Sequence, residues 1–127
     1  MTDVVVRDAS PADERPLRRL AGEAAAPPPG PGDVVFVAEL DGHPAGYMAV
    51  RSDGASLLID QLVVPPADRG RHVGNRLLDW AEGYGTSRRL ATVRIGAGGV
   101  DRVARDFYLR RGYTADGDEL QRELTHL

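Results

Sequence analysis

The spacing of apolar and polar positions divides the chain into short segments of two kinds. Continuous or alternating apolar runs bounded by turn residues predict strands. Segments in which apolar residues recur three or four positions apart predict amphipathic helices. The predicted strands cover residues 3–7, 33–40, 44–51, 55–64 and 90–97, followed by two short strands around Asp116-Gly117.

Two Asp-Gly pairs separate the three strands in the middle of the chain. Asp41-Gly42 and Asp53-Gly54 each stand between apolar runs. Aspartate followed by glycine suits tight hairpin turns, because both residues tolerate a positive φ. Residues 33–64 are therefore predicted to form a three-stranded antiparallel meander. The preceding segment, PPPGPG at 27–32, is predicted to be a stiff loop.

The first predicted helix has two possible starting points. Ser10 and Asp13 have the spacing of a capping box, which favours a start at Ser10. Pro16 would then lie inside the helix, where proline removes a hydrogen bond. The alternative is a later start, with Asp13 as the cap and Pro16 in the first turn.

Two further helices follow from the same kind of periodicity. The second is predicted from Val73 to about Ser87, on an apolar face formed by Val73, Leu77, Ala81 and Tyr84. The third begins after Asp101, a candidate cap, and ends at about Arg111 because Gly112 follows.

The predicted order is β-α-β-β-β-α-β-α-β-β, which indicates an α/β protein with a central mixed sheet flanked by helices. The length of 127 residues fits a single domain over 1–127. A strand, a helix and a strand after a meander imply a crossover within a mixed sheet. The sequence RGRHVGN at 69–75 follows the carboxyl end of the strand 55–64, where such sheets often bind ligands.

Composition narrows the classes of function. The net charge of −3 argues against a nucleic-acid partner, and no apolar run is long enough for a membrane span. The sequence contains no cysteine, and its three histidines share no predicted element, so no metal site is expected. The missing cysteines and the strand-like N-terminal run favour a cytoplasmic location.

Two motifs on the predicted elements resemble those of the GNAT superfamily of N-acetyltransferases. Residues 69–74, Arg-Gly-Arg-His-Val-Gly, are similar to the family's coenzyme A motif at a strand–loop–helix junction. Residues 107–113, Phe-Tyr-Leu-Arg-Arg-Gly-Tyr, are similar to its second signature at the end of a helix. The resemblance extends over nearly the whole chain in the same order, and it implies a single GNAT-like domain that uses acetyl-CoA.

The resemblance also implies which residues hold the cofactor. Main-chain groups of the strand 55–64 would pair with the pantetheine arm, and N–H groups at the following helix would bind the pyrophosphate. The implied cofactor-binding residues are Leu62, Val63, Val64, Arg69, Gly70, Arg71, His72, Val73, Gly74, Asn75, Asp101 and Tyr108. From the residues alone, 69–75 could equally be an ordinary glycine-rich turn with solvated arginines.

The chain departs from the family pattern at three places. His72 replaces the first motif glycine, which is acceptable only if the backbone there does not need a positive φ. The imidazole would either contact phosphates or point outward. Asp101 stands where the family often has asparagine, and it is a helix cap first and a site residue second. The proline-rich loop is shorter than the helical insert that shapes the acceptor pocket in many relatives.

Two residues are the candidates for proton transfer. Tyr108 is the candidate general acid, because a phenol can protonate a departing thiolate, although a helix-borne tyrosine among apolar neighbours is often a core residue. Asp60 interrupts an apolar strand, and it could act as a base, bind an ammonium group, or be an exposed carboxylate. Glu39 and Tyr47 are lesser candidates for lining the acceptor pocket.

The sequence therefore predicts transfer of an acetyl group from acetyl-CoA to a primary amine of a small molecule or peptide. Two other hypotheses stay open. The first is an idle GNAT fold that binds acyl-CoA as a sensor or interaction module. The second is a binder of another phosphate ligand. Relatives are frequently dimers, so a homodimer is also open by analogy.

Overall fold

A computed structural model describes residues 3–24, 26, 29, 32–65, 72–96, 102–117 and 119–124, without the side chains of 102–104. These residues form seven strands and three α-helices in the order predicted. The strands are β1 (Val4–Asp8), β2 (Val34–Leu40), β3 (His43–Asp53), β4 (Ser56–Val63), β5 (Thr92–Gly96), β6 (Thr114–Asp116) and β7 (Glu119–Glu123). The helices are α1 (Glu14–Glu23), α2 (Val73–Ser87) and α3 (Arg102–Arg110).

The seven strands belong to one mixed sheet in the order β1-β2-β3-β4-β5-β7-β6. Strand β4 pairs with β5 in parallel, from Ser56 opposite Thr92 to Ile59 opposite Ile95. Strand β7 pairs antiparallel with both β5 and β6. The parallel pair is joined through α2, so the predicted crossover within a mixed sheet is confirmed.

The predicted turns of the meander are confirmed as well. Asp41 and Gly42 have φ values of 54° and 81°, so both central residues of the β2–β3 turn take the positive φ that a tight hairpin of this kind requires. Gly54, with φ of 62°, follows the end of β3. The Asp41-Gly42 turn places Leu40 of β2 opposite His43 of β3.

The start of α1 combines both predicted alternatives. Pro11–Asp13 form one 3₁₀ turn before α1 begins at Glu14, and Pro16 lies in the first turn of the α-helix, where no N–H is needed. The Asp13 carboxylate accepts a hydrogen bond from the Ser10 amide at 2.7 Å. It also forms an ion pair with Arg7 at 2.8 Å. The Arg7 guanidinium holds the pKa of the buried Asp13 carboxyl well below its usual range.

The chain divides into two compact units, of which the first contains 1–50 and 61–80. Its core forms where the apolar face of α1 packs on the sheet; the buried residues are Leu17, Leu20, Ala21, Val37, Tyr47 and Val63. A Cβ added at Gly46 would lie 2.9 Å from both the Val63 carbonyl oxygen and Val73 Cγ1. Glycine at 46 therefore lets β3 approach the end of β4 and the start of α2 more closely than any other residue could.

The second unit contains 51–60 and 81–127. Its fully or nearly buried apolar side chains are Leu57, Ile59, Ala81, Val93, Ile95, Tyr108, Tyr113 and Leu120. Along β5, the buried Val93 and Ile95 alternate with the less buried Thr92, Arg94 and Gly96, as expected for a strand with one buried face. In the described part of the chain, no helix combines the length and the apolar character needed to cross a membrane.

Candidate functional site

The predicted site residues fall partly outside the described residues. Arg69, Gly70 and Arg71 of the glycine-rich segment and the candidate cap Asp101 lie there, so their roles stay predictions. The remaining candidates occur in two places. The end of β4 and the start of α2 belong to the first unit, whereas Asp60 and Tyr108 belong to the second.

Helix α2 starts at the predicted residue. Its first intrahelical hydrogen bond runs from the Arg76 amide to the His72 carbonyl at 3.1 Å. The amides of Val73 and Gly74 precede this bond, so they have no partner within the helix. Such N–H groups, together with the helix dipole, form a favourable environment for a phosphate. Val73 itself is buried, which anchors this end of the helix in the first unit.

His72 adopts a backbone conformation that is unfavourable for most side chains. Its φ is 66°, in the left-handed region where glycine carries no steric penalty. The sequence predicts that histidine is acceptable at position 72 only if φ is not positive. The observed φ is positive, so this condition is not met. Histidine is among the residues that tolerate this region better than most, and its side chain is exposed here. Position 72 thus keeps the backbone shape that a glycine would adopt, at some cost in strain.

This conformation leads to a stability prediction. A β-branched residue is much less tolerant of a positive φ than glycine or histidine. We expect His72→Val to lower the free energy of unfolding by about 1–2 kcal/mol relative to His72→Gly. Urea unfolding followed by circular dichroism measures the difference. The same two substitutions at Ser52, an exposed position of β3 without a positive φ, control for the general difference between valine and glycine. Equal stability of the two position-72 variants would show that residue 72 does not hold a positive φ in solution.

The end of β4 extends beyond its pairing with β5. The parallel register ends at Ile59 opposite Ile95, and β4 continues to Val63. Val63 is buried, whereas Leu62 and Val64 are half-buried. Main-chain groups in a strand segment of this kind can pair with an extended ligand in the manner of an added strand.

Asp60 has a cationic partner that the sequence did not predict. Its carboxylate lies 3.2 Å from the Arg51 guanidinium, and its side chain is 28% exposed. An acceptor ammonium that binds Asp60 would therefore either share the carboxylate with Arg51 or displace the Arg51 guanidinium from it. The catalytic role of Asp60 stays a prediction. The ion pair with Arg51 favours a structural or substrate-binding role for the Asp60 carboxylate over a role as a free base.

The lesser candidates Glu39 and Tyr47 also have partners. Glu39 forms an ion pair with Arg7. Tyr47 is fully buried and donates a hydrogen bond to Gln61 Oε1 at 3.2 Å, and its burial raises the pKa of the phenol. Gln61 was not among the predicted site residues. The signal that could have identified it is its position, a polar side chain directly after Asp60 in an apolar strand.

Tyr108 is almost completely buried in α3, with 4% of its surface exposed. Its ring makes edge contacts with Phe107 and Tyr113, at centroid distances of 5.3 and 5.7 Å. Burial raises the pKa of the Tyr108 phenol well above its ordinary value. Within the described ranges, its hydroxyl forms no hydrogen bond. The residue is therefore both a core side chain and a fully protonated phenol, so the two predicted interpretations are compatible.

The second signature motif ends α3 in a Schellman motif. The Tyr113 amide donates to the Tyr108 carbonyl at 3.1 Å, and the Gly112 amide donates to the Leu109 carbonyl at 3.1 Å. Gly112 has the positive φ of 93° that this ending requires. The spacing Phe-Tyr-x-x-x-Gly-Tyr thus has a physical basis, because it returns Tyr113 onto the Tyr108 turn.

The comparisons with known proteins include a family model that spans both motifs. The profile of the acetyltransferase (GNAT) domain matches residues 31–115, which is about two thirds of the chain. The chain belongs to the GNAT acetyltransferase family. It is 31% identical over 88 residues to an uncharacterised N-acetyltransferase of Methanocaldococcus jannaschii. That match covers 64% of this chain and only 39% of the relative.

Solved GNAT structures share the fold at low sequence identity. The ribosomal-protein-S18-alanine N-acetyltransferase of Escherichia coli has a TM-score of 0.81 at 15% identity, covering 98% of this chain and 96% of that one. The PaiA N-acetyltransferase of Thermoplasma acidophilum, in complex with coenzyme A, has a TM-score of 0.79 at 15% identity and covers 98% and 99%. The predicted mixed-sheet GNAT fold is therefore confirmed.

Proposed function

We propose that the protein transfers an acetyl group from acetyl-CoA to a primary amine of a small molecule or a peptide. The observation that supports this most is the start of α2. There, His72 takes a glycine-like φ of 66° and the next two amides precede the helix's first hydrogen bond. A side chain held in this unfavourable region is expected where the backbone shape has a function.

The residues at the start of α2 fit the pyrophosphate of coenzyme A. The amides of Val73 and Gly74 would donate to phosphate oxygens, and the helix dipole would add to the attraction. The side chain of His72 is exposed, whereas Gly74 is half-buried. Arg69 and Arg71 are proposed to contribute positive charge nearby.

The end of β4 is proposed to bind the pantetheine arm. Main-chain groups near Leu62 and Val64 would pair with its amides, which requires no particular side chain. Pro65 and Pro66 follow in the sequence, and neither has an N–H group to donate to a neighbouring strand. Bound acetyl-CoA would supply the thioester carbonyl that the amine attacks.

Tyr108 is proposed to donate the proton that the leaving thiolate needs. Because burial raises its pKa, the phenol carries its proton across the whole physiological pH range. Low water access also strengthens any hydrogen bond that the hydroxyl makes to a developing negative charge. Asp60 is proposed to bind the acceptor ammonium in competition with Arg51. The ammonium loses one proton to water before the amine attacks, and the second proton that the nitrogen loses as the amide forms returns the Tyr108 phenolate to the phenol.

A second candidate function is an idle GNAT fold that binds acyl-CoA without transfer. The near-complete burial of Tyr108 supports it, because a hydroxyl that never meets the thiolate cannot act as an acid. The two functions share cofactor binding and differ only in turnover.

Two assays separate these functions. We expect acetyl-CoA and free coenzyme A to raise the melting temperature by several degrees and ATP to leave it unchanged. Released thiol is then measured with Ellman's reagent across an amine panel that includes peptides and polyamines. The protein has no cysteine, so it adds no background signal. Stabilisation without thiol release from any amine would favour the idle fold, and no stabilisation by coenzyme A would refute both.

A further inference from the structure

Glu82 on α2 holds together three side chains that come from other parts of the second unit. Its carboxylate accepts from the Tyr113 hydroxyl at 2.9 Å and from Arg122 Nη1 at 3.0 Å. Arg111 Nη2 lies 3.2 Å and 3.3 Å from its two oxygens. The Glu82 side chain is only 17% exposed. One partly buried carboxylate thus serves three donors, of which two carry a positive charge.

The residues held by Glu82 surround the end of α3. Arg111 and Tyr113 flank Gly112, whose positive φ ends the helix. Arg122 on β7 donates a second hydrogen bond to the Arg111 carbonyl at 3.1 Å. Glu82 and Arg122 therefore both stabilise the same short turn. Glu82 binds its side chains, and Arg122 binds its main chain.

This turn is connected directly to Tyr108. The Tyr113 amide donates to the Tyr108 carbonyl at 3.1 Å, and the two rings meet edge to face at 5.7 Å. Tyr113 is itself buried, so its ring cannot move without disturbing its neighbours. The Tyr113 hydroxyl is fixed by Glu82, and the other end of the residue is fixed to the Tyr108 turn.

We propose that Glu82 is a positioning residue that acts through Tyr113 to hold Tyr108 in the geometry needed for proton donation. The proposal rests on the proposed function, in which Tyr108 is the general acid. Glu82 itself touches no reacting atom. Its contribution is to remove alternative positions of the Tyr108 ring, since small displacements of a catalytic group lower rates strongly.

Glu82→Gln tests the proposal because it preserves the size of the side chain. A neutral amide can still accept from Tyr113, but it no longer neutralises two guanidinium groups in a partly buried place. We expect kcat with the best amine of the panel to fall about tenfold, and KM for acetyl-CoA to stay within about twofold. We also expect hydrogen exchange at the Tyr113 amide to become about tenfold faster.

The matched control is Glu119→Gln, which removes a carboxylate of the same unit that pairs with Arg94 at 2.5 Å and not with the residues around Gly112. We expect it to leave kcat and the Tyr113 amide unchanged. Glu82→Asp, which keeps the charge, should restore part of the lost kcat. A thermal melt of each variant confirms that it is folded under the assay conditions.

The failure of this proposal can be told apart from that of the proposed function. If Tyr113 exchange and kcat are unchanged in Glu82→Gln while Tyr108→Phe is slow, the positioning role is wrong and the acid role stands. If Tyr108→Phe has full activity, the acid role is wrong and the positioning role falls with it, whatever the exchange data show. Equal losses of kcat in Glu82→Gln and Glu119→Gln would also overturn the proposal.

Discussion

Replacing Tyr108 with phenylalanine is expected to lower turnover about a hundredfold while leaving acetyl-CoA affinity within about twofold, because general acid catalysis typically contributes at least that factor. The substitution removes one hydroxyl and preserves the ring that contacts Phe107 and Tyr113. Since the hydroxyl has no hydrogen bond among the described residues, removing it leaves no described partner unsatisfied. The protein should therefore stay as stable as the parent. Steady-state thiol release gives kcat, and calorimetric titration gives the affinity.

Tyr84→Phe is the matched control for this substitution. Tyr84 lies on α2 in the same unit, with the Arg88 guanidinium carbon 4.5 Å from its ring centroid, a contact that phenylalanine keeps. We expect this control to have the parent's kcat. The pH dependence provides a second check. Because burial raises the pKa of Tyr108, the parent's rate should not decline through loss of the acid below pH ~10, the ordinary tyrosine value. Full activity of Tyr108→Phe would remove Tyr108 from the mechanism.

Much of the fold could be predicted from the sequence because it depends on local signals. Asp41-Gly42 determines its turn through two residues that both tolerate a positive φ. Pro16 restricts where α1 can begin, and Gly112 determines where α3 ends. Each of these signals lies within a few residues of the structure it specifies, so no knowledge of tertiary contacts was needed.

The partners of the site residues could not be predicted in the same way. Arg51 and Asp60 form an ion pair across a hairpin. Glu82 accepts hydrogen bonds from residues that lie about 30 to 40 positions further along the chain. Nothing in the spacing of charged residues distinguishes these contacts from those of solvated side chains. The φ of His72 could not be predicted for another reason. A residue with a side chain usually has a negative φ, and the positive φ at position 72 is visible only in the folded structure.

Gly74→Glu is expected to weaken acetyl-CoA binding by at least a hundredfold. Gly74 is the second residue of α2, and its amide is one of the two proposed pyrophosphate donors. A carboxylate about 4 Å from a phosphate costs about 4 kcal/mol at an intermediate dielectric constant, which is on the order of a thousandfold in affinity. The same carboxylate stabilises a free helix N-terminus, and replacing a helical glycine adds further stability. The variant should therefore fold at least as well as the parent and still fail to bind.

Gly83→Glu is the control, because it makes the same glycine-to-glutamate change at a position of α2 outside the proposed phosphate site. Gly83 lies on the same helix, nine residues after Gly74, and a Cβ there would have no neighbour within 4 Å. We expect parent-like affinity in the calorimetric titration. Gly74→Ala separates charge from volume: it adds a methyl group without a charge and should bind more tightly than Gly74→Glu. If Gly74→Glu is folded and keeps the parent's affinity, the proposal that the pyrophosphate lies at the start of α2 is wrong.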